Sequence, residues 1–179
     1  MDSAITNFIM NNWHGADWLN HVFKFITRLG DAGFIWVALI LVLVCIPKTR
    51  KVGLILTFAL ALEVLMTNII LKPIVARPRP YADNEGIVPF LKSIGLTAPS
   101  DASFPSGHAG SSFAVAVALI MLVGIKGLPA ILLASLIAFS RVFLCVHYLT
   151  DVLAGALIGS LVAIIVVVCY KHLLHKKRD

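Results

Sequence analysis

Three short polar stretches hold most of the side chains in this sequence that could do chemistry. They run from Lys72 to Pro80, from Pro105 to His108 and from Ser140 to Asp151. Together they contain two histidines, an aspartate, several cations and a glycine-containing turn. Cations and backbone N–H groups bind phosphate oxygens, while a histidine can attack phosphorus or transfer a proton. These residue types predict a site that binds and transfers phosphate.

The middle stretch predicts a phosphate-binding turn. Ser106, Gly107 and His108 directly precede an apolar run that reads as a helix. The free N–H groups at a helix N-terminus favour an anion, so we expect these amides to point outward at the ligand. The Ser106 hydroxyl would add a donor, and Gly107 would let the backbone approach the ligand closely.

Cationic side chains in the first and third stretches are candidates to complete the clamp. Lys72 ends an apolar segment, and Arg79 follows a rigid Arg-Pro-Arg-Pro turn. Arg141 offers a planar guanidinium suited to phosphate. Arg77 is a second candidate because the Arg-Pro unit occurs twice in this turn, but the spacing from Lys72 favours Arg79.

His147 and Asp151 are candidates for a nucleophile and its supporting carboxylate. They are four residues apart, which places them on one face if a helix begins near His147. A hydrogen bond from Asp151 to one ring nitrogen would fix the tautomer and make the other nitrogen more nucleophilic. Structural His–Asp pairs also occur at this spacing, so the pair alone is weak evidence. A second histidine, His108, beside the predicted phosphate-binding turn strengthens the assignment. Two histidines near one anion divide into a nucleophile and a general acid.

The remainder of the chain must place these stretches at a membrane edge. Of its 179 residues, 59% are hydrophobic and 13% are charged, whereas soluble domains average roughly half and a quarter. We therefore predict an all-α, polytopic transmembrane bundle of five to six helices, forming a single integral-membrane domain over 1–179. Its apolar segments run approximately over 33–47, 52–75, 109–125, 128–146 and 152–170.

The first 30 residues are amphipathic and rich in tryptophan near their polar positions. Such a pattern favours an interfacial in-plane helix or a helical hairpin over a sixth full crossing. The polar stretch between residues 77 and 105 is long for a compact fold, which predicts a cover or an entry to the site. The pair Gly155 and Gly159 predicts close helix packing in the last span.

Basic residues set the expected orientation. They cluster at Lys48, Arg50 and Lys51, at Lys126, and at the C-terminus in Lys171, Lys176, Lys177 and Arg178. Alternating helices place these three groups on one face, which the positive-inside rule makes cytoplasmic. We therefore predict a multi-pass protein of the cell membrane with a cytoplasmic C-terminus and an extracytoplasmic site.

The motifs Lys72-x6-Arg79-Pro80, Pro105-Ser-Gly-His108 and Ser140-Arg141-x5-His147-x3-Asp151 resemble the three-part signature of the type-2 phosphatidic acid phosphatase superfamily, which includes bacterial acid phosphatases and vanadium haloperoxidases. The resemblance spans the motif region 72–151 and departs from the family pattern at Cys145 and Leu149. It implies that His147 attacks phosphorus, Asp151 supports it and His108 transfers protons. It further implies that the phosphate oxygens are bound by Lys72, Arg79, Ser106, Gly107 and Arg141, with no metal and no cofactor.

The expected function is hydrolysis of a lipid phosphate within the bilayer. Candidate substrates are phosphatidate, phosphatidylglycerol phosphate and undecaprenyl or another polyprenyl diphosphate. Transfer of the phosphoryl group to another lipid would use the same residues. An anionic-lipid transporter would instead predict internal repeats, which the sequence lacks, and vanadate-dependent oxidation suits a lipid-facing cleft poorly. The expected partners are the lipid substrate and the bilayer; no nucleic acid partner is expected, and the oligomeric state is open.

Overall fold

The computed structural model describes residues 2–176, apart from the side chain of Leu174. This part of the chain contains no strand, which confirms the predicted all-α class. Lys177 and Arg178, used in the orientation prediction, lie outside it. Its helices are α1 (Asp2–Asn12), α2 (Asp17–Gly30), α3 (Phe34–Cys45), α4 (Arg50–Val64), α5 (Lys72–Val75), α6 (Ile87–Ser93), α7 (Gly107–Val123), α8 (Leu128–Phe143) and α9 (Leu149–Lys176).

Three helical stretches of this part of the chain are long and apolar enough to cross a membrane: Arg50–Ala82, Gly107–Phe143 and Leu149–Leu173. The stretches Asp17–Leu29 and Asp31–Cys45, bent by 48° at their junction, form a fourth candidate. The stretch Gly107–Phe143 is a helical hairpin, because α7 and α8 are joined by a 3-10 turn and the start of α7 lines the same cavity as the end of α8. Both predicted apolar segments there are therefore present as separate helices.

The N-terminal segment forms two helices, α1 and α2, joined by a short turn. Trp18 and Phe25 of α2 are exposed, whereas Asn20 and Thr27 on its other face are buried. A 3-10 turn at Asp31–Gly33 then connects α2 to α3. The interfacial placement of this segment stays a prediction.

A π-helical stretch joins α4 to α5 and carries two polar residues to the end of the bundle. It covers Leu65–Leu71, after which Ala76 ends the helix with a φ of 46°. The wider π turn shifts the register of the side chains that follow it. Asn68 and Lys72, four residues apart, both line the same cavity.

The segment between α5 and α7 packs onto the bundle as one wall of that cavity. Its helix α6 buries Ile87 and Leu91 completely. The Ser103 amide donates to the carbonyl of Arg77 at 2.8 Å, which closes the base of the segment. The segment predicted to be a cover or an entry thus contributes Leu91 and Asp101 to the lining of the cavity.

Helices α7 and α9 approach each other closely at two glycines. A Cβ atom on Gly155 would lie 2.4 Å from the carbonyl oxygen of Ser106, and one on Gly159 would lie 2.1 Å from that of Gly110. No real Cβ is tolerated so near a backbone atom. The predicted packing role of this pair is therefore confirmed within a single chain.

We expect Gly159→Ala to destabilise the fold. Alanine normally favours a helix over glycine by about 1 kcal/mol, but here the added methyl overlaps the Gly110 carbonyl, and overpacking costs about 1–3 kcal/mol. Thermal unfolding in detergent should show a lower midpoint for this variant. Gly15→Ala is the matched control, because nothing lies within 4 Å of the added carbon. Equal midpoints for the two variants would contradict the packing account.

Candidate active site

A cavity of about 640 Å³ brings the three polar stretches together at one end of the bundle. Six of the eight residues predicted for the site line it: Lys72, Arg79, Gly107, His108, Arg141 and His147. The other two, Ser106 and Asp151, are completely buried behind its wall. Residues far apart in the sequence thus converge as the motifs predicted.

Lys72 and Arg79 are both buried and share one carboxylate, that of Asp101. The Lys72 ammonium donates to Oδ2, and Arg79 Nη2 donates to Oδ1 at 2.7 Å. Burial alone would raise the pKa of Asp101, but hydrogen bonds and charges from Lys72 and Arg79 outweigh it and lower that pKa to about 2. Asp101 therefore holds the two cations against the cavity as an internal anion. The sequence placed it in the cover segment but gave no sign of this role.

Arg79 also contacts His147 and the residue before it. Its Nη1 donates to the carbonyl of Val146 at 2.7 Å and lies 3.2 Å from His147 Nε2. Burial lowers the pKa of His147, and the charges of Arg141 and Arg79 lower it further. The imidazole is therefore neutral at ordinary pH, and its Nε2 faces the cations. A neutral nitrogen beside cations is suited to attack a bound phosphate.

His147 and Asp151 lie close together, as predicted, but they are not on one helical face. Helix α9 begins at Leu149, so the two residues do not share a helical face. His147 Nδ1 lies 3.7 Å from Asp151 Oδ2, beyond hydrogen-bond range. Ser103 stands between them, since its hydroxyl donates to Asp151 Oδ2 at 2.5 Å and lies 3.5 Å from His147 Nδ1.

Asp151 is held by groups from three segments of the chain. Besides Ser103, the Tyr148 amide donates to its Oδ2 at 2.9 Å, and Arg77 Nη1 donates to its Oδ1 at 2.6 Å. The other terminal nitrogen of Arg77 donates to Asp2 at 2.9 Å, and its guanidinium lies 4.2 Å from the centre of the Tyr148 ring. Arg77 therefore lies behind Asp151, whereas Arg79 lines the cavity. This arrangement agrees with the preference for Arg79 in the clamp.

The expected role of Ser106 needs correction. Its amide donates to the backbone carbonyl of Asp151 at 3.0 Å, so that N–H does not point outward at a ligand. Its hydroxyl is buried without a hydrogen-bond partner in the described part of the chain. The physical reason is the close approach of α9, which covers this residue. Gly107, the first residue of α7, does line the cavity as predicted.

Arg141 is buried in the last turn of α8 and lines the cavity. One terminal nitrogen donates to the Thr27 hydroxyl of α2. Within residues 2–176 its Nε has no partner, although it is buried. An uncompensated buried donor is costly, so a bound anion would be stabilised there.

His108 contacts a carboxylate that the motifs did not include. Its Nε2 lies 3.0 Å from Oδ1 of Asp31, which begins the turn between α2 and α3. Asp31 is 77 positions from His108 in the sequence, and no periodicity or spacing connects them. No cluster of three or more His, Cys, Asp or Glu residues suited to a metal ion occurs among residues 2–176.

Comparison with known proteins gives a consistent result. A family model described as the PAP2 superfamily matches residues 52–174. Undecaprenyl-diphosphatase of Sulfolobus acidocaldarius is 30% identical over 159 residues, which are 86% of this chain and 71% of that protein. Phosphatidylglycerophosphatase B of Bacillus subtilis is 30% identical over 163 residues, which are 83% of this chain and 74% of that protein.

Solved structures agree with these relatives. The crystal structure of a transmembrane phosphatidylglycerolphosphate phosphatase from Bacillus subtilis matches with a TM-score of 0.74 at 30% identity, covering 98% of this chain and 85% of that one. The crystal structure of Aquifex aeolicus LpxE matches with a TM-score of 0.70 at 28% identity, covering 91% of this chain and 92% of that one. With its helical fold and converging motifs, the chain therefore belongs to the PAP2 superfamily and is a membrane lipid phosphatase.

Proposed function

We propose that this protein removes the terminal phosphate of a membrane lipid through a phosphohistidine formed on His147. The observation that carries the proposal is the position of the His147 imidazole in a cavity lined by three cations. Its Nε2 lies 3.2 Å from Arg79, and Lys72 and Arg141 line the same space. The cations would hold the non-bridging oxygens and stabilise the charge of the transition state.

The reaction would proceed in two balanced steps. His147 Nε2 forms a bond to phosphorus while the bond from phosphorus to the leaving oxygen breaks, and His108 gives that oxygen a proton. Water then attacks the phosphohistidine, His108 takes its proton, and inorganic phosphate leaves as the Nε2–phosphorus bond breaks. Asp151 would support the positive charge on His147 through the intervening Ser103 hydroxyl.

The apolar side of the cavity supports a substrate whose chain remains in the bilayer. Val37, Leu60 and Val64 of α3 and α4 line the cavity beside its cations. Val37 is 41% exposed and Val64 is 36% exposed, so the apolar wall reaches the outer surface of the bundle. A lipid phosphate can thus place its headgroup among the cations while its chain lies along these helices.

Among lipid phosphates, we propose a polyprenyl diphosphate such as undecaprenyl diphosphate as the substrate. Undecaprenyl-diphosphatase is the name of a relative that covers most of this chain. Phosphatidylglycerol phosphate is the second candidate, since another relative is a phosphatidylglycerophosphatase, and phosphatidate is the third. A panel of these lipids at equal concentration separates the candidates by their kcat/KM values.

We further propose that the cavity opens on the extracytoplasmic side of the cell membrane. The basic turn between α3 and α4 lies at the opposite end of α4 from Lys72. The ammonium of Lys171 donates to the carbonyl of Met121 at 3.3 Å, so the end of α9 lies beside the end of α7, away from the cavity. The positive-inside rule makes that distant end cytoplasmic.

Loss of the nucleophile should abolish hydrolysis. We expect His147→Ala to lower the release of inorganic phosphate from lipid phosphates in detergent by on the order of a thousandfold or more. His172→Ala is the control, because His172 is exposed near the far end of α9 and should retain full activity. Undiminished hydrolysis in His147→Ala would refute the nucleophile assignment, and transfer to a lipid acceptor without release of phosphate would instead indicate a phosphotransferase.

The proposed phosphohistidine should accumulate in a variant that forms it at a normal rate but hydrolyses it slowly. With an aryl phosphate, whose leaving group departs without a proton, His108→Ala should still phosphorylate His147 but hydrolyse it slowly. Radiolabelled phosphate should therefore remain on the protein after an alkaline quench and be lost in acid. The double variant His108→Ala and His147→Ala should carry no label, and label retained in the double variant would place the phosphate on another residue.

The apolar wall should affect long-chain substrates selectively. We expect Leu60→Asn to raise KM for a long-chain lipid phosphate about tenfold, because burying a leucine side chain contributes about 1.5–3 kcal/mol. The KM for a short-chain phosphate should remain within about twofold, since the headgroup contacts are intact. Leu132→Asn is the matched control, because Leu132 is 60% exposed and does not line the cavity. An equal rise in KM for both chain lengths would argue against this wall as the chain site.

A further inference from the structure

Two adjacent residues at the end of α2 shape the surroundings of the His108 imidazole. Asp31 accepts a hydrogen bond on Oδ1 from His108 Nε2, with 3.0 Å between these atoms. A Cβ atom on Gly30 would lie only 2.6 Å from His108 Cδ2, so the ring packs directly on the glycine backbone. Gly30 therefore leaves room for the ring, and Asp31 fixes its orientation.

The local backbone explains how Asp31 reaches the cavity. The helix ends at Gly30, and a 3-10 turn follows in which Ala32 and Gly33 have φ values of 49° and 68°. Such left-handed conformations sharply redirect the chain, which produces the bend between α2 and α3. This bend places the Asp31 carboxylate beside the start of α7, where His108 lies.

The structure assigns Asp31 as the positioning residue of His108, and this inference rests on the proposed role of His108 as general acid and base. By accepting from Nε2–H, the carboxylate fixes the tautomer in which Nδ1 is the exchanging nitrogen. In the first step the doubly protonated ring gives its Nδ1 proton to the leaving oxygen and becomes neutral, with Nε2–H still bound to Asp31. In the second step the neutral Nδ1 takes a proton from the attacking water, which restores the doubly protonated ring. Within residues 2–176 Nδ1 has no hydrogen-bond partner of its own and is available for this exchange.

The charges around His108 show why a carboxylate is needed. Lys72 of α5 and Arg141 of α8 line the same cavity, and Arg28 of α2 lies near Asp31. These cations attract the phosphate, but they also oppose a positive imidazolium. Asp31 supplies the negative charge that compensates for them at His108. The carboxylate lies outside residues 52–174, the part matched by the family model.

The test compares two leaving groups. General acid catalysis contributes about 10²–10⁴-fold to a rate when the leaving group needs a proton, and it matters little for an aryl phosphate. We compare kcat/KM, which reports the steps up to departure of the leaving group, because hydrolysis of the phosphohistidine is common to both substrates. We expect Asp31→Asn to lower kcat/KM for phosphatidate by about 10–100-fold, as loss of an orienting partner does elsewhere. Its kcat/KM for p-nitrophenyl phosphate should stay within about threefold.

Further variants separate positioning from a merely structural contact. Gly30→Ala should show the same leaving-group dependence, because its methyl displaces the ring. Asp31→Glu should recover part of the lost rate by restoring the carboxylate. Asp17→Asn is the control, since Asp17 is an exposed carboxylate at the other end of α2, and it should behave as the unaltered protein. Equal losses with both substrates in Asp31→Asn would overturn the inference in favour of a structural role.

The double variant with His108→Ala tests whether Asp31 acts through that histidine. If it does, adding Asp31→Asn to His108→Ala should cause no further loss with phosphatidate, because the two effects are not additive. An additive loss would overturn the inference. If His108→Ala itself shows no leaving-group dependence, the proposed role of His108 fails. If His108→Ala shows that dependence and Asp31→Asn does not, only the assignment of Asp31 fails.

Discussion

The backbone contact between the start of α7 and the start of α9 is the constraint on which the site depends. The Ser106 amide donates to the carbonyl of Asp151 at 3.0 Å. Gly155, which has no side chain, allows the backbones of the two helices to come into direct contact. Because of this contact, the turn before α7 and the residues around His147 occupy fixed relative positions. The same approach buries Ser106, so one residue of the motif joins helices and its neighbour Gly107 faces the cavity.

Charge balance is the second constraint on this end of the bundle. Three cations in a largely buried space would repel one another, and each would lose hydration energy. The carboxylate of Asp101 compensates two of them, Lys72 and Arg79, whereas the fully buried Asp151 binds Arg77 behind the cavity. Asp101 is half exposed and lines the cavity, so an arriving phosphate can replace its charge. Asp151 is enclosed and keeps its partners.

The sequence predicted the parts of the site that local patterns encode. Apolar length indicated the helices, and three motifs indicated six residues that do line one cavity. Contacts between distant segments were not predictable, since nothing in their spacing joins Ser103 to Asp151 or Asp31 to His108. The helix start at Leu149 also differed from the expected one. Asp151, in the first turn of α9, accepts from the amide of Tyr148, the residue before the helix, as the third residue of a capping box does. His147 lies before this cap and therefore outside the helix.

The proposed proton-transfer and nucleophilic halves of the site are built in corresponding ways from different parts of the chain. Each histidine has a carboxylate on the side of one ring nitrogen: Asp31 for His108 and, through Ser103, Asp151 for His147. The two carboxylates differ in exposure: the side chain of Asp31 is 58% exposed, whereas that of Asp151 is fully buried. A group that exchanges protons with water benefits from access to it, whereas a nucleophile benefits from exclusion of water. The N-terminal helices, which lie before the family match, therefore complete the more exposed half of the site.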